Sequence, residues 1–175
     1  PLFGNSYREK KMEKTLQNMQ DHFIICGFGR IGRDVCENLI NSDFKIVIID
    51  SDPERSPNEF NTPIIHGDAS SEEVLIKAGI GNAKGLVSTV DSDAGNVFIT
   101  LTARELNPSL FIIARYEIES TKGKLKRAGA DHVINPYQIG SDKISQIIIK
   151  PTISKILDFA HQKGHFELSI EELEI

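Results

Sequence analysis

Three closely spaced glycines could bring the backbone close to an anionic ligand. A G-x-G-x-x-G sequence follows the apolar run Phe23–Cys26 and precedes a helical pattern, and its residues are Gly27, Phe28, Gly29, Arg30, Ile31 and Gly32. The first glycine permits a tight bend, the second lets phosphates approach the backbone, and the third brings helix and strand together. The helix dipole and the free N–H groups of the first helical turn favour negative charge there. The unit therefore predicts a cradle for a diphosphate.

An acidic residue lies 18 positions beyond the last of these glycines. Asp50 ends the run Lys45–Asp50, and a carboxylate at the tip of a second strand accepts hydrogen bonds from both ribose hydroxyls and repels a 2′-phosphate. This favours NAD(H), AMP, ADP or ATP over NADP(H), although Asp50 could also be an ordinary turn residue. Ser51 and Asp52 extend the site, with Asp52 as the substitute acid. Arg30 could pair with a terminal phosphate or face solvent.

Further candidates follow three other apolar runs, because ligands of such folds bind outside the carboxyl ends of the strands. They are Gly67, Asp68 and Ala69 after the third run, Thr89, Val90 and Asp91 after the fourth, and Arg115 after the fifth. Asp68 is expected beside an adenine amino group. Asp91 or Ser92 could instead cap the next helix. Arg115 could turn toward the phosphates or pair with Glu117.

The alternation of apolar runs and helical patterns predicts how these residues are positioned. Strands are expected at Phe23–Cys26, Phe44–Asp50, Pro63–His66, Gly85–Ser88, Leu110–Ala114 and His132–Ile134, with helices near residues 30–41, 53–60, 71–78, 92–106 and 118–128. The runs are continuously apolar, as expected when helices cover both faces of a sheet. We therefore predict an α/β fold with a Rossmann-type, doubly wound, parallel six-stranded sheet in the order 3-2-1-4-5-6.

The two ends of the chain follow different patterns. Tyr7–Gln20 is typical of a mixed-charge helix without a core of its own, and residues 136–149 and 152–163 form two helical patterns separated by Pro151. These later helices are apolar enough to need a covering surface, either a second copy or the chain's own domain. The expected divisions are an upstream linker at 1–20, a nucleotide-binding lobe at 21–135, a helical dimerisation arm at 136–165 and the start of a truncated lobe at 166–175.

Composition narrows the function classes. The 175 residues are 39% hydrophobic and 26% charged, and the net charge of −5 gives no general attraction to nucleic acid or to an anionic membrane. Cys26 and Cys36 have neither metal-ligand nor disulfide spacing, and Cys26 is expected to be a buried thiol, which suits a reducing cytoplasm. No apolar stretch reaches the roughly 18–20 residues that span a bilayer, and no signal-peptide pattern is present.

Residue patterns typical of catalysis are missing. The sequence contains no Ser/His/Asp arrangement, and no partner is implied that would make His66, His161 or His165 a proton donor. A dehydrogenase also needs a second substrate-binding region with an acid–base group, and the residues beyond the sheet are too few and too apolar for one. We therefore expect a nucleotide-binding sensor and not an enzyme.

Five stretches resemble the N-terminal lobe of RCK domains, which regulate the conductance of potassium channels and of Trk/Ktr-type uptake systems. They are Asp21–Gly32, Val47–Asp50, His66–Ala69, Ala114–Tyr116 and Gly129–Ile134. The resemblance covers residues 21–149 and continues more loosely into the following helix, which in the family forms a crossover that clasps a partner subunit. It implies a cytoplasmic regulatory domain of a cell-membrane protein, which binds an adenine nucleotide and gates potassium flux.

The resemblance also implies partners. The expected assembly is a homodimer through residues 136–163 and a higher-order ring beneath a pore that lies upstream in the chain. Tyr7–Lys14 resembles the linker from an inner pore helix, which favours a channel over a separate Trk/Ktr-type transporter subunit, and a fragment of an NAD-dependent oxidoreductase is the third alternative. Some members of the family bind Ca²⁺, and oxygen ligands could come from Glu167, Glu171, Glu172 and Glu174. A solvated strand face explains these glutamates better, so a nucleotide is the favoured ligand.

Overall fold

Six parallel strands form the sheet of this chain in its computed structural model, which describes residues 15–16, 18–57 and 60–150. The strands are β1 Phe23–Cys26, β2 Ile46–Asp50, β3 Ile64–His66, β4 Gly85–Ser88, β5 Phe111–Arg115 and β6 His132–Ile134. Their order across the sheet is β3-β2-β1-β4-β5-β6. The predicted α/β class, the parallel sheet and its strand order are confirmed.

Helices connect the strands on both sides of the sheet. They are α1 Arg30–Asn41, α2 Glu72–Lys77, a 3-10 helix at Ile80–Asn82, α3 Asp93–Leu106 and α4 Glu119–Ala128. The chain divides after Asn135 into two compact units, and the second unit contains helix α5, Pro136–Ile149. Proline suits the first position of α5, where its missing N–H would have no helical partner. Within the described residues, no helix combines the length and the apolar character that crossing a bilayer requires.

The central strands are apolar up to their last residues because both of their faces are covered. Consecutive strand residues point to opposite sides of the sheet. Ile24 therefore packs with Val47 and Ile49 in a cluster to which α2 and α3 contribute, whereas Ile25 packs with Ile48 in a second cluster under α1. Each such aliphatic side chain stabilises the fold by about 1.5–3 kcal/mol when it is fully buried. The strand ends that carry the candidate residues are held in place by this packing.

One predicted helix is wrong. In the stretch predicted as a helix at 53–60, the described residues 53–57 and 60 form turns and irregular backbone. Pro57 explains the difference, because it carries no N–H inside the predicted helix and drives the preceding residue, Ser56, away from helical backbone angles. The link from β2 to β3 is held by turns instead, with the Arg55 N–H donating to the carbonyl of Asp52 at 3.2 Å.

The predicted bounds of β1, β4 and β6 are confirmed, whereas those of β2, β3 and β5 differ from the prediction by one or two residues. β2 begins at Ile46 and not at Phe44, since the N–H of Phe44 still donates to the Leu39 carbonyl at the end of α1. β5 runs one residue further than predicted, to Arg115. The predicted bounds of the helix at 136–149 are confirmed. Most of the predicted linker helix at 7–20, the helix at 152–163 and the region at 166–175 lie outside the described residues.

Candidate functional site

The glycine turn leaves no room for side chains at two of its positions. Gly27 has a φ of +95°, which favours glycine, and a Cβ there would lie 3.0 Å from the backbone nitrogen of Val90. A Cβ on Gly32 would lie 1.9 Å from the carbonyl oxygen of Gly27. Gly29 is the N-cap residue of α1 and borders the crevice at the end of the sheet. The close packing that the motif predicts is present.

Asp50 is held beside this turn by backbone hydrogen bonds. Its side chain is 7% exposed, and its Oδ2 accepts from the N–H of Phe28 at 2.6 Å. Its Oδ1 accepts from the N–H of Asp52 at 2.8 Å. The carboxylate therefore has a defined position at the tip of β2, where hydroxyl groups of a bound ligand could donate to it.

The opposite wall of the crevice comes from the end of β4. The Thr89 hydroxyl lies 3.1 Å from the carbonyl oxygens of Cys26 and Gly27 and donates to them. Buried Asn96 of α3 accepts a hydrogen bond from the Ser88 hydroxyl at 2.6 Å and donates to the Val90 carbonyl at 3.0 Å. Side chains thus connect this loop to both β1 and α3.

Ser92, and not Asp91, caps helix α3. The Ser92 hydroxyl accepts from the N–H of Gly95 at 3.1 Å. The Asp91 side chain is 93% exposed, borders the crevice and forms an ion pair of 3.3 Å with Arg115. This leaves the Asp91 carboxylate at the crevice rim, and its predicted ligand contact stays a prediction.

Arg115 pairs with acidic neighbours and does not line the crevice. Its guanidinium is 7% exposed and contacts the carboxylates of Asp91 and Glu117. It also donates to the Val90 carbonyl at 3.4 Å. Of the two roles considered from the sequence, pairing with Glu117 is the one present here, and the side chain supports the loop after β4.

Asp68 borders the crevice at the end of β3. Its Oδ1 accepts from both the N–H and the hydroxyl of Ser70, each at 2.8 Å. These two hydrogen bonds, the backbone one first, hold the pKa of Asp68 below its usual value because they stabilise the charged carboxylate. An ionised Asp68 can accept a hydrogen bond from an amino group, so the predicted adenine contact is chemically reasonable.

These elements enclose a crevice of about 430 Å³ at the carboxyl ends of the strands. The predicted site residues that border it are Gly27, Gly29, Asp50, Ser51, Asp52, Gly67, Asp68, Ala69, Thr89, Val90 and Asp91. Five other predicted residues do not border it: Phe28, Arg30, Ile31, Gly32 and Arg115. The N–H of Phe28 donates to Asp50, and the Phe28 ring packs edge-to-face against Phe60. Arg30 is exposed at the start of α1. Binding roles for all sixteen stay predictions.

Sequence reasoning missed five residues of the crevice, which are Ile49, Arg55, Ser70, Gly95 and Ile99. The most consequential is Arg55, whose Nη1 lies 3.3 Å from Oδ2 of Asp50. The wrongly predicted helix at 53–60 gave no reason to expect Arg55 at the tip of β2. Pro57 was the available signal, since a proline inside a predicted helix removes a hydrogen bond and breaks the helix.

Other reactive groups are buried apart from the crevice. Cys26 and Cys36 are free, buried thiols, and burial raises the pKa of Cys36 to about 12, which keeps it protonated and unreactive. His22 is fully buried with its Nε2 2.8 Å from the Ala78 carbonyl oxygen, and burial lowers its pKa. In the described part of the chain no group of three or more His, Cys, Asp or Glu residues could hold a metal ion. The four glutamates considered as Ca²⁺ ligands lie outside that part.

The sequence matches a known family and two potassium channel proteins of one archaeon. The model of the TrkA-N domain family matches residues 23–136. "Potassium channel protein 1" of Methanocaldococcus jannaschii is 43% identical over 163 residues, which cover 91% of this chain and 48% of that protein. The chain spans about half the length of the curated relatives it matches.

Solved structures show the same architecture. The RCK domain of GsuK is 31% identical, with a TM-score of 0.66 over 79% of this chain and 30% of that chain. A structure of GsuK bound to ADP is 29% identical, with a TM-score of 0.65 over 79% of this chain and 37% of that chain.

Proposed function

Because this chain belongs to the TrkA-N domain family, we propose that it is the nucleotide-binding regulatory domain of a potassium channel. The resemblance to RCK domains that the sequence indicated agrees with the GsuK structures. The observation that carries the proposal is the position of the Asp50 carboxylate, which backbone N–H groups hold beside the glycine turn in one crevice. A diphosphate needs a glycine turn of this kind, and the ribose next to it needs a carboxylate beside that turn.

The ligand of the proposal is an adenine nucleotide: NAD(H), AMP, ADP or ATP. N–H groups at the start of α1 would receive the phosphates, and Asp50 would accept the ribose hydroxyls. Asp68 would accept the adenine amino group, and the loop after β4 would close the opposite side. The relative bound to ADP supports an adenine nucleotide, since it is 29% identical and has the same fold.

Regulation would follow from a difference in affinity between two states of the channel. A nucleotide that touches the ends of β1, β2 and β4 shifts the equilibrium between an open and a closed pore only if it binds one state more tightly. The chain's role in this proposal is binding and not catalysis. It would lie in the cytoplasm, with the pore upstream, and assemble through residues 136–163 into a dimer and a ring.

Titration calorimetry and thermal unfolding of the 175-residue chain test the binding step. The ligands are NAD⁺, NADH, AMP, ADP, ATP, NADPH and Ca²⁺. The test variant is Asp50→Asn, and the matched control is Asp34→Asn, which changes an exposed residue of α1 outside the crevice. A ligand at about 100 times its dissociation constant adds about 2.7 kcal/mol of stability. We expect this for one adenine nucleotide with the wild type and with Asp34→Asn, but not with Asp50→Asn.

Two results would contradict this proposal. If no adenine nucleotide stabilises the wild type, the crevice is not a nucleotide site. If a nucleotide binds the chain but leaves potassium current through the full-length channel unchanged, the binding is not regulatory. Current recordings should show a nucleotide response that Asp50→Asn removes while the maximal conductance persists.

A further inference from the structure

Arg55 competes for the carboxylate that the proposed nucleotide must use. Its Nη1 lies 3.3 Å from Oδ2 of Asp50, and its Nε lies 3.5 Å from Oδ2 of Asp52. A Cβ on Gly29 would lie 3.3 Å from the same Nη1, so the guanidinium reaches across the glycine turn. The Arg55 side chain is 37% exposed, which leaves it room to adopt another position.

Counting hydrogen bonds at Asp50 shows which partner a ligand displaces. A carboxylate offers about four acceptor sites. Three of them accept here, from the N–H groups of Phe28 and Asp52 and from the Arg55 guanidinium. Two ribose hydroxyls need two sites, so one present donor must leave. The two N–H groups belong to the backbone that shapes the crevice, whereas Arg55 can leave by rotating its side chain.

The charges around the crevice favour a guanidinium beside the phosphates of a bound ligand. Among the described residues that border it, four are acidic, namely Asp50, Asp52, Asp68 and Asp91, and Arg55 is the one cation. Asp91 is paired with Arg115, but the other three carboxylates repel a phosphate group, so a guanidinium close to Gly29 offsets an unfavourable field where the phosphates would approach the turn. Guanidinium also matches the geometry of phosphate oxygens in a two-point contact.

We propose that Arg55 exchanges partners on ligand binding and thereby makes the site selective for phosphorylated ligands; this rests on the proposed function. Ribose hydroxyls take over the Asp50 carboxylate, and the released guanidinium pairs with a phosphate at the glycine turn. A nucleoside without phosphate displaces Arg55 but offers it no new partner. A nucleotide compensates for the lost ion pair, so the same residue penalises adenosine and favours AMP or ADP.

The test compares adenosine, AMP and ADP on the 175-residue chain by NMR titration, which measures millimolar affinities as well as tighter ones. The variants are Arg55→Gln, Arg55→Lys and the control Arg127→Gln, an exposed arginine of α4 outside the crevice. We expect Arg55→Gln to lower the affinity for AMP and ADP by about 10- to 100-fold, because charge-assisted hydrogen bonds to the phosphate are lost. Adenosine affinity should rise, because no ion pair with Asp50 has to be broken, and an unchanged or lower affinity for adenosine would contradict the exchange of partners.

The remaining variants and outcomes separate this role from a structural one. Arg55→Lys should recover part of the nucleotide affinity, because it keeps the charge but loses the two-point geometry, and Arg127→Gln should bind all three ligands as the wild type does. If Arg55→Gln lowers the affinities for adenosine and AMP equally, or leaves the AMP affinity unchanged, the inference about Arg55 is wrong while the proposed function stands. Failure of all adenine ligands to bind the wild type would overturn the proposed function together with it.

Discussion

The two walls of the crevice are held in different ways: backbone atoms hold the wall at the ends of β1 and β2, whereas side chains hold the wall at the end of β4. On the first wall the Phe28 N–H fixes Asp50, and the close approach of Gly32 to Gly27 excludes any side chain. On the second wall Asn96 and Thr89 fix the loop through their polar side chains. Sequence changes should therefore be tolerated much less on the first wall.

The largest effect is expected from Gly32→Ala on the backbone wall. The new Cβ would lie 1.9 Å from the Gly27 carbonyl oxygen, and backbone cannot move aside without opening the turn. Overpacking of this kind costs about 3 kcal/mol of unfolding free energy, and nucleotide binding should be lost with it. Urea denaturation measures the first effect. Gly81→Ala is the control, since a Cβ there meets no atom within 4 Å. Equal stability of the two variants would contradict the close packing of this wall.

A smaller effect is expected from Asn96→Ala on the side-chain wall. The substitution removes the partner of the Ser88 hydroxyl and of the Val90 carbonyl, and buried polar groups that lose their partner cost about 2 kcal/mol. Urea denaturation of Asn96→Ala measures this cost. The control is Glu105→Ala, which changes an exposed residue on the same helix. Unchanged stability of Asn96→Ala would mean that the loop after β4 does not depend on this side chain.

Mild acid should destabilise the protein through His22, which belongs to neither wall. Burial lowers its folded pKa below 6.5, against the smaller opposing effects of the Ala78 carbonyl and of Asp21, while Lys45 lowers it further. The unfolded chain binds the proton more readily than the folded chain. The contribution of neutral His22 to the unfolding free energy is therefore fully present above the unfolded pKa and is lost as the pH drops below about 6.5. Unfolding free energies between pH 7.5 and about 5 should show this slope for the wild type but a flatter one for His22→Gln. An equal slope in both would assign the loss to other groups.

The smallest effect is expected from Asp91→Asn. Asp91 pairs with Arg115 at 3.3 Å, but its side chain is 93% exposed, and ion pairs in such surroundings contribute less than about 0.5 kcal/mol. Arg115 also keeps its contact with Glu117. Denaturation in low and high salt should hardly distinguish this variant from the wild type. A loss of unfolding free energy as large as that of Asn96→Ala would show that the ion pair of Asp91 with Arg115 also holds the loop after β4.

Local patterns predicted much of the sheet and most of the crevice. The continuous apolar runs and the turn residues between them indicated six parallel strands, because strands covered on both faces have no polar alternation. Gly27, Gly29 and Asp50 were found from spacing alone, since a turn between strand and helix needs glycine at fixed positions and the tip of the next parallel strand lies beside it. The helix at 53–60 was predicted wrongly because Pro57, which lies inside that stretch, was given too little weight.

What the sequence alone determined is the fold, the strand order and most of the residues that border the crevice, because these depend on residue types at short, regular spacings. Which polar groups meet across the crevice was decided by tertiary structure. Nothing in the local sequence pairs Asn96 with Val90, or Arg115 with Asp91, because these partners come together only when the carboxyl ends of the strands share one edge of the sheet. The same holds for Arg55, whose place over the glycine turn depends on how an irregular loop folds back on Asp50.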